Sequence, residues 1–63
     1  MATQVKTIRI KKGMSQGELA EKSGVSRQTL CAIEKHPEYN PRISTMEAIA
    51  KALDVPVKRL FLP

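Results

Sequence analysis

Two serines, each placed just before a predicted helix, constrain how the middle of this 63-residue chain can fold. Ser15 is followed three residues later by Glu18, which is the capping-box pattern: the hydroxyl accepts from the Glu18 amide, and the carboxylate accepts from the Ser15 amide. Gly24 can take the left-handed conformation that closes a helix, and Ser26 can cap the next one. The pattern predicts two short helices joined by a tight turn, over about 15–35.

The second of these helices has one apolar and one polar face. At 100° per residue counted from Ser26, Leu30 and Ile33 share the side that packs. The opposite and flanking positions hold Arg27, Gln28, Thr29, Ala32 and Lys35. Side chains of these types suit the floor of a DNA major groove, because glutamine pairs with adenine, arginine with guanine, and the methyl group of threonine or alanine contacts thymine.

Over this segment the chain resembles the Cro-like, lambda-repressor-like helix-turn-helix family, also called the xenobiotic response element family. The matching positions are Gln16, Leu19, Ala20, Gly24, Val25, Ser26, Leu30, Ile33 and Glu34. The resemblance continues through Met14-Ser15, Asn40-Pro41 and ISTMEAIAKALDVPVKRLF, so it covers nearly the whole chain. It implies an all-α fold: one compact five-helix domain over 1–63, with the helix-turn-helix at helices 2 and 3.

The resemblance implies two kinds of contact with DNA. Base reading is predicted for Arg27, Gln28, Thr29 and Ala32. Arg27 and Gln28 are the strongest of these because they lie in the first turn, which enters the groove; for Gln28 the alternative is an exposed, idle amide. Phosphate binding is predicted for Lys12, Ser15, Gln16, Ser26, Lys35, Asn40 and Arg42. Gln16 leads this group because it lies at the positive N-terminal end of the second helix.

The flanking segments are predicted to be scaffold. Val5 and Ile8 indicate a first helix from about Thr3 to Lys12, ended by Gly13. Its outward residues are all basic, so this helix is expected to cross the DNA backbone; they are Lys6, Arg9, Lys11 and Lys12.

A fourth and a fifth helix are predicted after the Asn40-Pro41 loop. Ser44 and Glu47 repeat the capping box and place the start of the fourth helix at Ser44. Its apolar stripe is Met46, Ile49, Ala50 and Leu53. Asp54 stands where the family commonly has glycine, and we expect it to keep the stop with a little strain because aspartate tolerates the left-handed conformation. Pro56 then starts a short last helix.

The last helix also offers a surface for a second copy of the chain. The predicted dimer residues are Val57, Leu60, Phe61 and Leu62, since Leu62 extends the apolar surface beyond what one monomer needs. The alternative is that these side chains belong to the monomer core.

Three further residues invite specific hypotheses. In the family, Arg9 and Glu34 face each other across the first and third helices, so we expect a partly buried ion pair that orients the third helix more than it stabilises the fold; two solvated charges are the alternative. Cys31 could act as a redox switch, although a tolerated small side chain is the simpler interpretation.

Composition agrees with a nucleic-acid partner and gives no support to catalysis. Eleven Lys and Arg against six Asp and Glu give a net charge of +5, which favours a polyanion, although solvated lysines on helix faces are a plainer explanation of charge alone. The sequence has no metal-ligand spacing, no nucleophile and base arrangement and no phosphate loop, so we expect no enzyme, no metal and no cofactor. A lone cysteine and the absence of an apolar leader indicate a cytosolic protein.

The resemblance implies a transcriptional regulator. We expect a homodimeric repressor that binds a palindromic operator in double-stranded DNA, with its two recognition helices about 34 Å apart in successive major grooves. The alternative is a protein-binding adaptor or an antitoxin-type module with the same fold.

Overall fold

The structure of the protein, a computed structural model, describes residues 3–61 and contains five helices in that range. They are α1 (Val5–Lys11), α2 (Gln16–Ser23), α3 (Arg27–Lys35), α4 (Ile43–Leu53) and α5 (Val57–Leu60). The predicted all-α, five-helix architecture is confirmed. None of the helices in the described range has the length and apolar character needed to cross a membrane.

Aliphatic side chains from all five helices meet in one core, and α2 packs against both α3 and α4. The core residues are Val5, Ile8, Leu19, Leu30, Ile33, Ile49, Ala50, Ala52, Leu53, Leu60 and Phe61. The predicted α4 stripe is confirmed: three of its residues are buried and Met46 packs against their edge. Each fully buried leucine or isoleucine contributes about 1.5–3 kcal/mol through removal of apolar surface from water.

The helix α1 begins two residues later than its predicted start at Thr3, because Thr3 pairs with the far end of the chain. Thr3 and Phe61 form an isolated antiparallel bridge. The backbone N–H of Gln4 donates to the carbonyl oxygen of Leu60 at 2.8 Å. Thr3 and Gln4 are therefore paired with the last residue of α5 and the residue that follows it, and they do not open an earlier helical turn.

Three helices end at residues with left-handed backbone conformations. Gly13 follows α1 with φ +69°, and Gly24 follows α2 with φ +76°, as the sequence predicted. Asp54 takes the same role after α4 with φ +58°, and the Val55 N–H donates to the Ala50 carbonyl at 3.0 Å to close the end. The predicted stop at Asp54 is confirmed, although a residue with a β-carbon adopts this conformation at some cost in free energy.

The start of α4 differs from the prediction. The helix begins at Ile43 with Arg42 in the N-cap position, and no side chain caps it. Pro41 is buried, and the extended backbone of Arg42 leads directly from this anchor into the helix. Ser44 therefore lies inside the first turn, so the predicted capping box with Glu47 does not form.

The residues predicted for a dimer surface contribute mainly to the monomer. Leu60 is fully buried and Phe61 is 7% exposed, so both belong to the core, which is the alternative that the sequence left open. Val57 is half-buried and packs against the core edge. Leu62 lies outside the described residues.

Candidate nucleic-acid interface

The entry into α2 is fixed by the predicted capping box. The Glu18 N–H donates to Ser15 Oγ at 3.0 Å, and the Ser15 N–H donates to Glu18 Oε1 at 2.9 Å. These bonds, the backbone bond first, lower the pKa of the Glu18 carboxyl because they favour its charged form. These two local hydrogen bonds therefore fix the first turn of α2 without the help of tertiary contacts.

The turn from α2 to α3 positions a helix with one buried and one open side. Gly24 closes α2, and the Val25 N–H donates to Ser23 Oγ at 3.2 Å. On α3 the core side is formed by Leu30 and Ile33, which are 0% and 3% exposed. Because these side chains are packed, the opposite side of α3 has a fixed orientation relative to the rest of the domain.

The predicted base-reading residues divide by exposure along α3. Arg27 and Gln28 in the first turn are exposed, whereas Thr29 and Ala32 are half-buried at the margin. Cys31 is also half-buried, as a free thiol. Among the four predicted base-reading residues, Arg27 and Gln28 are therefore the most accessible, and both lie in the first turn of α3.

Two hydroxyl groups are bonded to each other at the start of α3. Ser26 Oγ accepts the backbone N–H of Thr29 at 3.1 Å, which is the predicted N-cap. The same hydroxyl donates to Thr29 Oγ1 at 2.9 Å. The sequence predicted the cap but not the contact between the side chains, because a serine N-cap signals only its bond to the backbone.

A single carboxylate joins the first three helices. Arg9 Nε donates to Glu34 Oε2 at 2.9 Å and Arg9 Nη2 donates to Oε1 at 3.1 Å, so the predicted ion pair is confirmed as a two-pronged contact. The two side chains are 12% and 3% exposed. Hydrogen bonding to Glu34 raises the pKa of Arg9. The third guanidinium nitrogen, Nη1, donates to the Met14 carbonyl at 2.8 Å and so also fixes the approach to α2.

Gln16 also bonds to Glu34, a contact that the sequence did not predict. Its Nε2 donates to Glu34 Oε1 at 3.2 Å, and its side chain is half-buried. Gln16 and Glu34 are 18 positions apart, so no local pattern could have signalled the bond. One hydrogen of Gln16 Nε2 is committed to Glu34, which fixes the carboxamide beside the α2 N-terminus.

The remaining predicted phosphate-binding residues are all exposed around the helix-turn-helix. They are Lys12, Ser15, Ser26, Lys35, Asn40 and Arg42. The Arg27 guanidinium lies beside Gly17 in the first turn of α2. A β-carbon added to Gly17 would be 3.8 Å from Arg27 Nη1. The α2 N-terminus and the α3 N-terminus therefore present their polar groups side by side.

The connection from α3 to α4 is an exposed turn followed by a buried proline, Pro41. The Tyr39 N–H donates to the His36 carbonyl at 3.0 Å. His36 Nδ1 lies 3.5 Å from Glu38 Oε1, and both side chains are well exposed. Across residues 3–61 the His, Cys, Asp and Glu side chains form no cluster of three or more that could hold a metal ion.

A comparison of the sequence with known protein families agrees with this helix-turn-helix arrangement. The family model described as "Helix-turn-helix" matches residues 5–60. The chain belongs to this helix-turn-helix family. The match includes all five helices, and the resemblance to Cro-like regulators is confirmed.

Several relatives of this helix-turn-helix protein are named as regulators. The HTH-type transcriptional regulator SinR of Bacillus subtilis is 42% identical over 58 residues, covering 92% of this chain and 52% of SinR. The immunity repressor protein of Bacillus phage phi105 is 42% identical over 57 residues, covering 90% of this chain and 39% of the repressor. The chain thus spans about half, or less, of these two relatives.

Solved structures of similar length share the fold. The restriction-modification controller protein C.AhdI from Aeromonas hydrophila superimposes with a TM-score of 0.84 at 31% identity, covering 92% of this chain and 86% of that one. The N-terminal DNA-binding domain of SinR superimposes with a TM-score of 0.81 at 42% identity, covering 94% and 87%. The helix-turn-helix protein is therefore similar to these domains over more than nine-tenths of its length.

Proposed function

We propose that this helix-turn-helix protein is a cytosolic, sequence-specific transcriptional regulator that represses by binding a palindromic operator as a homodimer. The observation that carries the proposal is the exposed first turn of α3, with Arg27 and Gln28, on a helix whose other side is packed. A polar first turn on a rigid helix is what major-groove reading requires. The relatives named as regulators and as a repressor support the same function.

Contacts with DNA divide into base reading and backbone positioning. Arg27 and Gln28 read base edges, while Thr29 and Ala32 contact them from the margin of α3. Phosphates are bound on either side of the recognition helix by side chains and by the first backbone amides of α2, and these contacts set the register. The side chains are Lys12, Ser15, Gln16, Lys35, Asn40 and Arg42; Ser26 would contribute its backbone N–H, because its hydroxyl proton is bonded to Thr29 Oγ1.

The dimer is proposed from the symmetry that such operators have and from the small core. One domain of this size supplies about 3–5 kcal/mol, so association would add stability. With Leu60 and Phe61 committed to the monomer core, Val57 is the described residue of the predicted surface that retains area for a partner.

Selection of binding sites from a random duplex library, together with sedimentation of the free protein, tests the proposal. We expect a short inverted repeat, a sedimenting dimer, and an affinity that falls with salt with a log–log slope of about 5–9 in magnitude, as a dimer neutralising that many phosphates requires. Weak binding without sequence preference would contradict the proposal. That result would favour a protein-binding adaptor or antitoxin-type module, and one similar solved structure is a complex of SinR with the SinI protein.

Gln28→Ala provides the sharpest single-residue test of base reading. We expect a loss of about 1–3 kcal/mol on the selected site and almost none on random duplex, because the amide contacts a base and not the backbone. Gln4→Ala removes another exposed glutamine, at the start of α1, and serves as the matched control. An equal loss on both duplexes for Gln28→Ala would show that Gln28 does not read sequence.

A further inference from the structure

We infer that Ser26 is a specificity-determining residue that acts through Thr29: its hydroxyl proton keeps the Thr29 hydroxyl available as a hydrogen-bond donor toward a base edge. Ser26 is thus a positioning residue, and Thr29 makes the contact. The inference rests on the proposed function, since it requires the N-terminal turn of α3 to face a major groove.

The Ser26 hydroxyl makes two hydrogen bonds to Thr29 at the start of α3. Ser26 Oγ accepts the Thr29 backbone N–H at 3.1 Å and donates its own proton to Thr29 Oγ1 at 2.9 Å. In this arrangement Thr29 Oγ1 receives the shared proton, which leaves the proton of Thr29 itself free for another acceptor. Thr29 is half-buried at the margin of the exposed side of α3.

The residue that supplies the shared proton decides whether Thr29 presents a hydrogen-bond donor or an acceptor to DNA. Two oxygens 2.9 Å apart share one proton. If Ser26 supplies it, the Thr29 proton is free to point outward. If the residue at position 26 can only accept, Thr29 must supply the shared proton and then presents only a lone pair outward. A serine hydroxyl both donates and accepts, whereas a carboxylate only accepts.

The donor state of Thr29 favours bases that carry acceptors. In the major groove guanine offers N7 and O6, adenine offers N7, and thymine offers O4, whereas cytosine offers only the N4 donor. A donating Thr29 therefore disfavours cytosine at the position it faces. One hydrogen bond of this kind corresponds to a discrimination of about 2- to 10-fold.

The start of α2 provides a matched comparison. Ser15 also caps its helix, by accepting the Glu18 N–H at 3.0 Å, but the residue at the third helical position there is a carboxylate and not a hydroxyl. Ser15 thus shares the capping role of Ser26 without a hydroxyl partner through which to act. A substitution at Ser15 changes the cap and the local charge but not the protonation pattern of Thr29.

Ser26→Asp tests the inference, because aspartate caps helices as well as serine does but cannot donate. The readout is the ratio of affinities for the selected operator and for versions with each other base at the position facing Thr29. We expect the discrimination against cytosine to disappear or invert. Ser26→Thr retains a donor and should retain the wild-type ratio, and Thr29→Val should lose the discrimination.

Ser15→Asp is the control for added negative charge. It should weaken binding to every duplex alike and leave the ratio unchanged, since a phosphate effect is common to all sequences. Thermal melting followed by circular dichroism confirms that each variant is folded at the temperature of the assay.

Each failure has a distinct meaning. If the wild-type protein selects an operator but Ser26→Asp keeps the wild-type ratio, or Thr29→Val does, the inference is overturned and the proposed function stands. If the wild-type protein selects no operator, the proposed function fails and the inference fails with it.

Discussion

The helix-turn-helix half of the molecule and the closing half are held together by different forces. In α2 and α3 each helix starts at a serine cap, and the Glu34 carboxylate ties both helices to α1. In α4 and α5 neither helix start has a side-chain cap, and the buried stripe of α4 supplies the attachment. Directional hydrogen bonds fix orientation in the first half, whereas burial supplies most of the stability in the second.

This difference separates positioning from stability. A hydrogen-bonded charge pair contributes little net free energy, because the cost of desolvation offsets the attraction, but it permits only a narrow range of geometries. Apolar packing contributes more free energy and is less directional. Substitutions in the core of α4 and α5 should therefore unfold the protein. Substitutions in the Glu34 network should lower the affinity for DNA more than they lower the free energy of unfolding.

The largest effect is expected for Leu53→Ala in α4. Leu53 is fully buried, and truncating such a leucine costs about 2–5 kcal/mol, which is comparable to the whole stability of a domain of this size. Urea unfolding should show a protein that is largely unfolded at 25 °C without denaturant. Val55→Ala, at a half-buried position on the edge of the core, is the control and should retain a cooperative transition.

A smaller effect on stability, with a larger effect on binding, is expected for Glu34→Ala. The change leaves the Arg9 guanidinium in a site only 12% exposed, and we expect a loss of about 1–3 kcal/mol, below the fully buried case because water still reaches that side chain. Operator affinity, measured on protein shown to be folded, should fall further than it does for Val55→Ala. Unchanged affinity and an unchanged melting temperature together would remove any role for the pair.

The Arg9→Met/Glu34→Leu double variant sharpens this contrast. Apolar residues of similar volume should recover most of the stability lost in Glu34→Ala, because no unpaired charge remains. Affinity for the operator should stay low, since the tie to Gln16 is absent. Full recovery of both properties would mean that the network does not position α3.

A gain of about 0.5–1 kcal/mol is expected for Asp54→Gly. Glycine removes the cost of the left-handed conformation at φ +58° and also a negative charge at the C-terminal end of α4. The reciprocal Gly24→Asp, at φ +76°, should destabilise by a similar amount, since nothing lies within 4 Å of an added β-carbon. Thermal midpoints would measure both changes, and a loss in Asp54→Gly would contradict the strain argument.

The smallest effect concerns the acid side of the pH profile. The pKa of Glu18 is lowered in the folded state below its ordinary value of 4.5, so the α2 capping box stabilises the protein fully above that value. This contribution is lost as the pH falls through the lower, folded-state pKa. The melting temperature of Glu18→Gln should therefore depend less on pH in this acidic range than that of the wild type. Identical pH profiles would show that the carboxylate does not stabilise α2.

The sequence predicted the helix-turn-helix half more accurately than the closing half. Side-chain caps and glycine are local signals, so the start of α2 at Ser15 and the closure at Gly24 could be identified from residues two or three positions apart. Ser44 carried a similar signal, but buried Pro41 set the entry to α4 earlier. Tertiary anchoring was not visible in the local pattern.

The sequence likewise predicted only part of the candidate site. The polar side of α3 follows from helical periodicity, and the Arg9–Glu34 pair follows from the family resemblance. The Gln16 bond and the contact between Ser26 and Thr29 hydroxyls depend on side-chain geometry in three dimensions, so sequence spacing could not predict them.

The bridge between Thr3 and Phe61 has a consequence for the engineering of this domain. The two ends of the described chain lie side by side, held also by the bond from Gln4 to Leu60. Such proximity is the condition under which circular permutation succeeds. A peptide linker joining the ends, with new termini opened in the exposed turn around Glu38, would retain every helix and reverse the order in which the two halves leave the ribosome.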